Sequence, residues 1–357
     1  MLALRLDPPL LLGLIALSVV GLLVLYSASG ESLDRVVQQA VRIGVGFGAM
    51  LVAAQIPPRN LRLWSPWLFL AGIGLLLWVL LAGTVGGGAQ RWISLGFMRF
   101  QPSEAMKVIV PMMVAWYIVD RALPPSLWRV IVALFIIAIP VVMIARQPDL
   151  GTALLVAAAG LLVVFLAGLS GRLIGLLVLL GGALVPVLWH FMQDYQRRRV
   201  LTMLDPESDP LGAGYHIIQS KIAVGSGGLY GKGWLNGTQS QLDFIPERST
   251  DFIFAVFGEE FGFFGALVLL LIYLFVIVRA LYIAAQAQDL YGQLLAGSLA
   301  LTFFVYLFVN VGMVTGLLPV VGVPLPLVSY GGTSVVTLLG AFGIIMSIRS
   351  HKRLLAT

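Results

Sequence analysis

The chain contains no cysteine, only three histidines and few charged residues. The absence of cysteine excludes disulfide bonds, thiolate zinc sites and a cysteine nucleophile. His190, His216 and His351 are too dispersed to predict a metal cluster. Charged residues make up 11% of the 357 residues, whereas soluble domains carry about 25%. So little charge cannot cover the surface of a soluble protein, and lipid is therefore the expected solvent.

Hydrophobic residues are abundant, at 59% of the chain with a mean hydropathy of +0.99. Each crossing of a bilayer takes about 20 predominantly apolar residues, because only a helix satisfies its own backbone hydrogen bonds in hydrocarbon. We therefore predict an all-α polytopic membrane protein, with residues 1–357 as a single membrane domain. We expect about ten spans, at apolar runs near 9–27, 36–55, 63–82, 104–119, 127–145, 151–168, 172–192, 252–283, 293–315 and 328–348.

Basic residues predict the orientation. The net charge is +6, yet no basic cluster is interleaved with aromatic residues on a soluble module, as nucleic-acid binding would require. Ten spans put both termini on one side, and Lys and Arg in short loops favour the cytoplasm for that side. This places in or near the cytoplasm Arg5, Arg59, Arg62, Arg121, Arg129, Arg172, Arg279, Arg349, Lys352 and Arg353. The run from Leu10 to Tyr26 is long enough to remain as a first span rather than a cleaved signal peptide.

The longest connection lies between the seventh and eighth spans, at residues 193–250, and the predicted orientation places it outside the cytoplasm. A structureless connection of this length is uncommon, which indicates a functional loop. An amphipathic stretch from Tyr215 to Val224 is followed by a glycine-rich turn at 225–228. Residues Gly225 to Gly233 lack the Gly-x-x-x-x-Gly-Lys-Ser/Thr pattern and follow no predicted strand, so nucleotide binding is unsupported.

Two shorter segments interrupt the helical pattern. Residues Gly83 to Gln101 predict a short turn or hairpin at the membrane interface, with Trp92 in the aromatic belt. Residues 317–326 are apolar but too rich in proline for a continuous helix. They predict a broken or re-entrant segment, which membranes tolerate only where protein or a cavity shelters the backbone.

Asp251 lies where the polar loop becomes an apolar helix, and it supports two interpretations. It is either a helix-start residue that follows an N-cap at Thr250 and is favoured by the helix dipole, or a functional carboxylate. The two are compatible, since a carboxylate in a cavity at the membrane edge can act as a general base if burial offsets the acidifying helix terminus.

Glu104 and Lys107 lie three residues apart, and hence on one helical face, just inside the fourth span. Ionisable residues at membrane depth are costly and are candidates for function. The structural interpretation is a mutually neutralising ion pair. The functional one is that this pair shapes a polar cavity beneath the long loop.

A group of cations lies in the long loop. Taken singly, each is most simply a solvated or headgroup-facing charge. Together they could hold a diphosphate, for which Arg supplies paired donors and Lys a point charge. The group comprises Arg197, Arg198, Arg199, Lys221, Lys232 and Arg248.

Two further groups of charged residues have structural interpretations, and one further arginine has no assigned role. Glu259 and Glu260 follow Asp251 by about two turns on the same helix, and helix-end pairing explains them. The same holds for Arg146 with Asp149 at a junction between spans. Arg42, within the second span, has no evident sequence partner.

Several stretches combine these features into a recognisable pattern. They are Ala89-Gln90-Arg91-Trp92, Phe100-Gln101-Pro102-Ser103-Glu104, Gln147-Pro148-Asp149-Leu150-Gly151-Thr152, residues 205–215, Gly225-Ser226-Gly227-Gly228, Gly231-Lys232-Gly233, Gly237-Thr238-Gln239-Ser240-Gln241, Pro246-Glu247-Arg248, residues 250–255 and residues 322–332. Together they resemble the shape, elongation, division and sporulation (SEDS) family, and residues 237–241 and 246–248 are similar to its elongation branch.

This resemblance implies a glycosyltransferase of the bacterial plasma (inner) membrane, with both termini cytoplasmic and the active site on the extracytoplasmic face. It implies that Asp251 matches the essential aspartate of the family. That residue would deprotonate the 4-hydroxyl of the GlcNAc of lipid II, which attacks the anomeric carbon of the MurNAc at the reducing end of the strand. Undecaprenyl diphosphate leaves, and its charge would be stabilised by the loop cations or by a divalent metal such as Mg²⁺ or Mn²⁺.

The resemblance also implies a partner and shows one departure. The partner is a single-span class B penicillin-binding protein with transpeptidase activity. Many relatives have His where this chain has Ser249, so an imidazole at that position cannot be part of an obligatory relay.

Two other classes of function remain open at this stage. A transporter that moves lipid II across the bilayer also suits broken helices and intramembrane charge, and it would move intact precursor without forming polymer. A non-catalytic scaffold would support polymerisation only beside a partner that has its own glycosyltransferase domain.

Overall fold

A computed structural model of the protein describes residues 5–351, apart from 87–88, 95–98, 121–122, 170, 193, 210–211, 243 and 246. The predicted positions Gly87, Gly88, Arg121, Pro210, Leu211, Pro246, Lys352 and Arg353 therefore lie outside the described residues. The helices are α1 Pro8–Ala28, α2 Leu33–Gln55, α3 Pro58–Ala82, α4 Pro102–Val119, α5 Leu127–Ala145, α6 Leu150–Leu166, α7 Gly171–Phe191, α8 Asp194–Leu204, α9 Ala213–Ser226, α10 Thr238–Gln241, α11 Ile253–Ala285, α12 Leu290–Val314 and α13 Thr333–Ser350.

Each predicted apolar run coincides with one of the long helices α1–α7 and α11–α13. In the described part of the chain, seven of them are long and apolar enough to cross a membrane, namely α1, α2, α3, α5, α11, α12 and α13. The shorter α6 is also apolar, and α4 carries Glu104 and Lys107 in its first two turns. The prediction of an all-α polytopic membrane protein is confirmed, and the number of ten spans stays a prediction.

Helix α12 lies at the centre of the bundle and packs against α4, α6, α11 and α13. Its Phe303 is buried edge-to-face on Phe342 of α13, with ring centroids 4.9 Å apart. Small residues bring helices close, as at Gly343, where a Cβ atom would lie 2.3 Å from the main-chain oxygen of Met50 on α2. Such contacts are typical of helix packing in membranes.

The two ends of the bundle are fixed by different polar contacts. At one end Arg279 of α11 pairs with the buried Asp7, at 3.1 Å from Nε to Oδ1 and 3.0 Å from Nη2 to Oδ2, and Arg349 of α13 pairs with the same carboxylate. At the other end the hydroxyl of Ser27 donates to Glu260 of α11. Helices α1 and α11 are therefore antiparallel, and the start of α11 lies at the opposite end from both described termini.

A small antiparallel sheet connects α3 to α4. Its strands are β1 Thr84–Gly86, β2 Ala89–Ser94 and β3 Arg99–Phe100, in the order β1-β2-β3. Thr84 pairs with Trp92, and Ile93 pairs with Phe100. The predicted hairpin over 83–101 is thus confirmed, and it places Arg91 beside the α5–α6 junction, where its Nε donates to the oxygen of Gln147 at 3.2 Å.

The long connection between α7 and α11 contains helices α8, α9 and α10 and a 3₁₀ turn at Pro206–Ser208. Helix α9 covers the predicted amphipathic stretch and ends at Ser226, with Gly227 as its C-cap within the predicted glycine-rich turn, which confirms that part of the prediction. The Pro-rich stretch 317–326 is not helical, as expected.

Helix α11 is broken at Gly262, whose φ of 65° and ψ of −163° are not helical. The apolar run alone gives no sign of this break. Segment 228–233 of the long connection lies in the gap and exchanges main-chain hydrogen bonds with both sides of it. The bonds are Lys232 N to Glu259 O and Gly233 N to Glu260 O, both 3.0 Å, Phe263 N to Gly228 O, 2.9 Å, and Phe264 N to Leu229 O, 3.1 Å.

Candidate active site

Asp251 lies in the turn that immediately precedes α11. Phe252 occupies the N-cap position of that helix and makes no side-chain capping bond. The hydroxyl of Thr250 instead donates to Glu247, at 3.2 Å to the main-chain oxygen and 2.9 Å to Oε2. The interpretation of Thr250 as the N-cap is therefore wrong, because the chain forms one more turn before the helix begins.

The backbone of this turn is fixed by donors from outside it. Three successive main-chain oxygens each accept one hydrogen bond. Ser249 accepts from Tyr330 N at 2.8 Å, Thr250 from the hydroxyl of Ser329, and Asp251 from Nδ2 of Asn310 at 2.8 Å. Two of the donors follow the Pro-rich segment and one lies on α12, so the packed bundle sets the position of the Asp251 backbone.

Asn310 also connects this turn to the Pro-rich segment. Its Nδ2 donates a second hydrogen bond, at 2.8 Å, to the main-chain oxygen of Val323. The residue is fully buried. The neighbouring Gly322 has a φ of +74°, and a Cβ atom there would lie 3.4 Å from Oδ2 of Asp251. The Asp251 carboxylate thus lies beside Gly322, where a side chain would be both strained and close to it.

The protein environment disfavours the charged form of Asp251. Burial and, to a smaller extent, the charge of Glu247 raise the pKa of Asp251 to about 6, against the opposing charge of Arg199. A carboxyl with this pKa is mostly ionised at neutral pH, yet it binds a proton far more readily than an ordinary aspartate. These are the properties required of a general base.

A polar cavity of about 170 Å³ lies next to this turn. Its wall includes Gly322, Val323 and Pro324, the segment that contacts Asp251. The remaining lining residues come from the β hairpin, α4, α6 and the start of α13, and include Arg91, Trp92, Gln101, Glu104, Lys107, Asp149, Thr152 and Leu155.

Glu104 and Lys107 form a buried ion pair with 2.6 Å between Oε1 and Nζ. The Lys107 ammonium also lies 4.8 Å from the ring centroid of Tyr306. Among the described residues the second carboxylate oxygen, Oε2 of Glu104, has no hydrogen-bond partner although it is buried. The structural interpretation of the pair is confirmed, and both residues also line the polar cavity.

Asp149 belongs to the same cavity wall. Its Oδ2 accepts from Gln101 Nε2 at 2.8 Å, and its Oδ1 accepts from the Thr152 amide at 3.3 Å as the N-cap of α6. Arg91 lies 3.9 Å away from this carboxylate. Asp149 therefore has the structural role expected of it. Its ion-pair partner is Arg91 of the hairpin rather than the neighbouring Arg146, and the large separation in sequence gave no sign of this pairing.

The predicted phosphate-binding cations lie in different surroundings. Arg197 donates to the main-chain oxygens of Trp189 and His190, at 2.9 and 2.7 Å, and so closes the end of α7. Lys221 is exposed on α9, and its side chain packs against Gly316 at the start of the Pro-rich region. Within the described residues Lys221 forms no ion pair.

Lys232 and Arg248 are held by neighbouring groups. The Lys232 ammonium lies 2.7 Å from both Oε1 of the buried Glu259 and the hydroxyl of Thr238. Arg248 donates to the main-chain oxygen of Ser240, and its Nη2 approaches Gly30 at the α1–α2 turn. A phosphate-binding role for either cation stays a prediction.

Glu259 and Glu260 connect α11 to the long connection and to α1. Glu259 accepts hydrogen bonds from the amides of Gln239 and Ser240, at 2.9 and 3.1 Å, in addition to Lys232. Glu260 accepts from Ser27. These contacts agree with the structural roles expected of Glu259 and Glu260. The partners come from other segments of the chain rather than from the end of the same helix.

Arg42 has a partner that the sequence did not indicate. Its guanidinium lies 4.5 Å from the ring centroid of Tyr330, whose amide fixes Ser249 in the Asp251 turn. An Arg over an aromatic face is a favourable contact. Arg42 therefore supports the turn through Tyr330.

A histidine from another element also lies beside the turn. His216 of α9 stacks on Phe252, with ring centroids 5.7 Å apart. Burial lowers the pKa of His216, against the opposing charges of Glu247 and Asp209. The lowered pKa favours the neutral form of the imidazole. Nothing in the local sequence of either residue signals this contact, whereas Asn310 could have been noticed as a lone amide within an apolar span.

Within the described residues, no group of three or more His, Asp or Glu side chains is placed to hold a metal ion.

Comparison with known proteins gives a consistent result. The family model FTSW_RODA_SPOVE, described as cell cycle protein, matches residues 9–354. The chain is 56% identical over 353 residues to the peptidoglycan glycosyltransferase MrdB of Escherichia coli K12, covering 99% of this chain and 95% of that protein. It is 35% identical over 364 residues to the probable peptidoglycan glycosyltransferase FtsW of Geobacter metallireducens, covering 98% and 96%.

Solved structures resemble the fold over nearly its whole length. One chain, from a peptidoglycan synthase complex described as coordinating polymerization and crosslinking, superposes with a TM-score of 0.84 at 30% identity, covering 97% of this chain and 99% of that one. The rod shape determining protein RodA of Thermus thermophilus superposes with a TM-score of 0.72 at 27% identity, covering 96% of both chains.

Proposed function

Since the chain belongs to the FTSW_RODA_SPOVE family, we infer that it is a peptidoglycan glycosyltransferase and an integral membrane protein of the bacterial inner membrane. Its similarity to MrdB over nearly the full length of both proteins supports this activity.

We propose that Asp251 is the general base. The observation that carries this proposal is a partly buried carboxyl with a pKa of about 6, on a turn whose backbone is fixed by three outside donors. The substrate is lipid II, whose GlcNAc 4-hydroxyl gives its proton to Asp251. The oxygen then forms a bond to the anomeric carbon of the MurNAc at the end of the lipid-linked strand, and the bond to undecaprenyl diphosphate breaks.

The polar cavity suits a sugar substrate. Glu104 and Lys107 present charged groups to it, and the unpaired Oε2 of Glu104 is an acceptor for a sugar hydroxyl. We propose that these two residues shape the substrate site.

The departing diphosphate requires positive charge. Of the cations proposed for it, Lys221 and Arg248 fit best, because Lys221 is exposed and Arg248 precedes Asp251 by three residues. Arg197 and Lys232 contribute mainly by holding the surrounding loop. A divalent cation such as Mg²⁺ binds carboxylate and phosphate oxygens, and with Asp251 acting as the base, Glu247 is the carboxylate of this turn that would hold one beside the diphosphate.

We propose that both termini face the cytoplasm and the site faces outward. Supporting this, Arg5, Arg59, Arg62, Arg279 and Arg349 all lie at the end of the bundle away from Asp251, as the positive-inside rule requires. We also propose a class B penicillin-binding protein as partner, supported by the similarity to a chain from a peptidoglycan synthase complex.

The experiment is incubation of the purified chain with lipid II, with and without chelator, followed by separation of glycan products by length. We expect strands from the wild type and none from Asp251→Asn. Asp205→Asn, which removes an exposed carboxylate of the same connection, is the matched control and should retain activity. Strand synthesis by Asp251→Asn at the wild-type rate would show that Asp251 is not the base. Transport of intact lipid II across vesicles without formation of polymer would indicate a transporter rather than an enzyme.

A further inference from the structure

A second polar cavity, of about 540 Å³, lies at the end of the bundle that carries both described termini. It is enclosed by the α2–α3 turn, the first turn of α3, the α11–α12 turn and the end of α13. Its lining residues are Pro57, Pro58, Arg59, Arg62, Gln288, Asp289, Ile348 and His351. None of these residues belongs to the site of Asp251.

Two arginines supply the positive charge of this cavity. Arg59 and Arg62 are three residues apart in the first turns of α3 and therefore lie on one helix face. Arg59 is exposed and makes no hydrogen bond or ion pair with any residue that the structure describes. Arg62 pairs with Asp120, but the Arg62 side chain is 36% exposed and the Asp120 side chain 62% exposed. Such a pair is weak in water, so Arg62 remains available to a stronger anion.

The backbone adds to this charge. Helix α3 begins at Pro58, and its N-cap residue Pro57 makes no side-chain capping bond. The positive end of the dipole of this 25-residue helix therefore lies at the cavity wall. Pro58 has no N–H, and the amides of Asn60 and Leu61 donate to the oxygen of Pro57, so the amide of Arg59 is the donor of this first turn that is left for an anion.

Few negative or polar groups in the lining of this cavity would oppose the binding of an anion. The one carboxylate among the lining residues, Asp289, is the N-cap of α12 and accepts from the Gly292 amide at 3.1 Å. Both ring nitrogens of His351 already have partners, because Nε2 contacts Arg5 and Nδ1 contacts the main-chain oxygen of Ser347. The cavity thus presents two guanidinium groups and a helix terminus to an anion, and His351 forms part of its lining.

The surroundings indicate that the anion is attached to a lipid. Trp64 and Trp67, on the turns of α3 that follow the two arginines, expose 45% and 73% of their surface, as expected of an aromatic belt at a membrane interface. Basic pockets between transmembrane helices on the cytoplasmic side bind anionic headgroups. We propose that this cavity binds the phosphate of an anionic phospholipid of the inner leaflet, held by Arg59 and Arg62.

The test uses the purified full chain in detergent and measures lipid binding by native mass spectrometry. The probes are phosphatidylglycerol, cardiolipin, zwitterionic phosphatidylcholine and inorganic phosphate. We expect the two anionic lipids to bind at least tenfold more tightly than phosphatidylcholine. The double variant Arg59→Gln/Arg62→Gln should lose that preference, whereas Asp120→Asn, which frees Arg62, should strengthen it.

Arg129→Gln is the matched control, because it removes a cation from the first turn of α5, outside the lining of the cavity. Equal loss of anionic lipid binding in this control and in the double variant would overturn the proposal in favour of general surface charge. Binding of inorganic phosphate that anionic lipid fails to displace would also overturn it, by identifying a soluble anion as the ligand. Glycan synthesis by the double variant at saturating lipid II should match the wild type, so a failure here leaves the proposed enzymatic function intact.

Discussion

The side-chain amide of Asn310 donates to the main-chain oxygens of both Asp251 and Val323, each at 2.8 Å. One buried group on α12 thereby connects the turn of the proposed base to the wall of the polar cavity. Preorganisation of this kind fixes reacting groups relative to their substrate before it binds.

Asn310→Leu should therefore damage catalysis more than binding. It leaves the buried oxygen of Val323 without a donor, which costs on the order of 1–3 kcal/mol of stability, and the partly buried oxygen of Asp251 likewise, at a smaller cost. A misplacement of the base by about 1 Å can lower the rate roughly 100-fold, so we expect kcat to fall about 10- to 100-fold with a smaller change in KM. Steady-state kinetics and thermal unfolding measure both effects.

Thr302→Val is the control for Asn310→Leu. It removes a buried polar group from the same helix, one that bonds only to the backbone of α12 in the described structure. If Thr302→Val lowers kcat as much as Asn310→Leu, the effect belongs to α12 in general rather than to the connection with Asp251.

The activity should depend on pH through Asp251. With a pKa of about 6, the base is protonated and inactive below that pH, so kcat/KM should rise about tenfold per pH unit up to pH 6 and level off above it. Glu247→Gln removes a negative charge that raises this pKa and should move the profile to lower pH. Arg199→Gln removes an opposing positive charge and should move it to higher pH. A profile that neither variant moves would mean that another group controls the rate.

Asp251→Asn should stabilise the protein at neutral pH. Because burial raises the pKa of Asp251 from 3.8 to about 6, folding disfavours its ionised form. The side chain's contribution to stability is full below pH 3.8 and is lost as pH rises through 6. The loss at pH 8 is on the order of 1–3 kcal/mol, which Asn avoids.

Thermal unfolding of Asp251→Asn at pH 8 and pH 5 checks this expectation. The variant should unfold at a higher temperature than the wild type at pH 8, with a smaller gain at pH 5. A loss of stability at both values would mean instead that Asp251 serves mainly as a helix-start residue.

Variants of Glu104 and Lys107 separate the two roles of that pair. Glu104→Gln alone leaves a buried, unpaired ammonium and should destabilise the protein by about 3–5 kcal/mol. Glu104→Gln with Lys107→Met removes both charges and should recover most of that stability. If the pair also shapes the substrate site, the double variant stays inactive despite being folded, whereas recovery of full activity in the lipid II assay would leave the pair with a structural role alone.

Local sequence predicted the features that depend on local chemistry. The apolar runs located α1–α7 and α11–α13 to within a few residues, since a span is determined by length and hydropathy. Amphipathic spacing followed by glycine located α9 and its end.

Features that depend on contacts between distant segments were not predictable in the same way. The pairing of Lys232 with Glu259, of Arg91 with Asp149, and of Arg42 with Tyr330 each joins residues far apart in the chain. Asp251 could be identified as a candidate from its position, but the donors that fix it could not. The break at Gly262 was hidden because a single glycine within an apolar run also occurs in continuous helices.

The interruption at Gly262 has a mechanical consequence. Residues 253–261, which begin two residues after Asp251, are hydrogen-bonded to segment 228–233, and the helix axis does not continue through Gly262 into 263–285. A force on the exposed connection therefore reaches both the part of α11 near Asp251 and the part beyond Gly262.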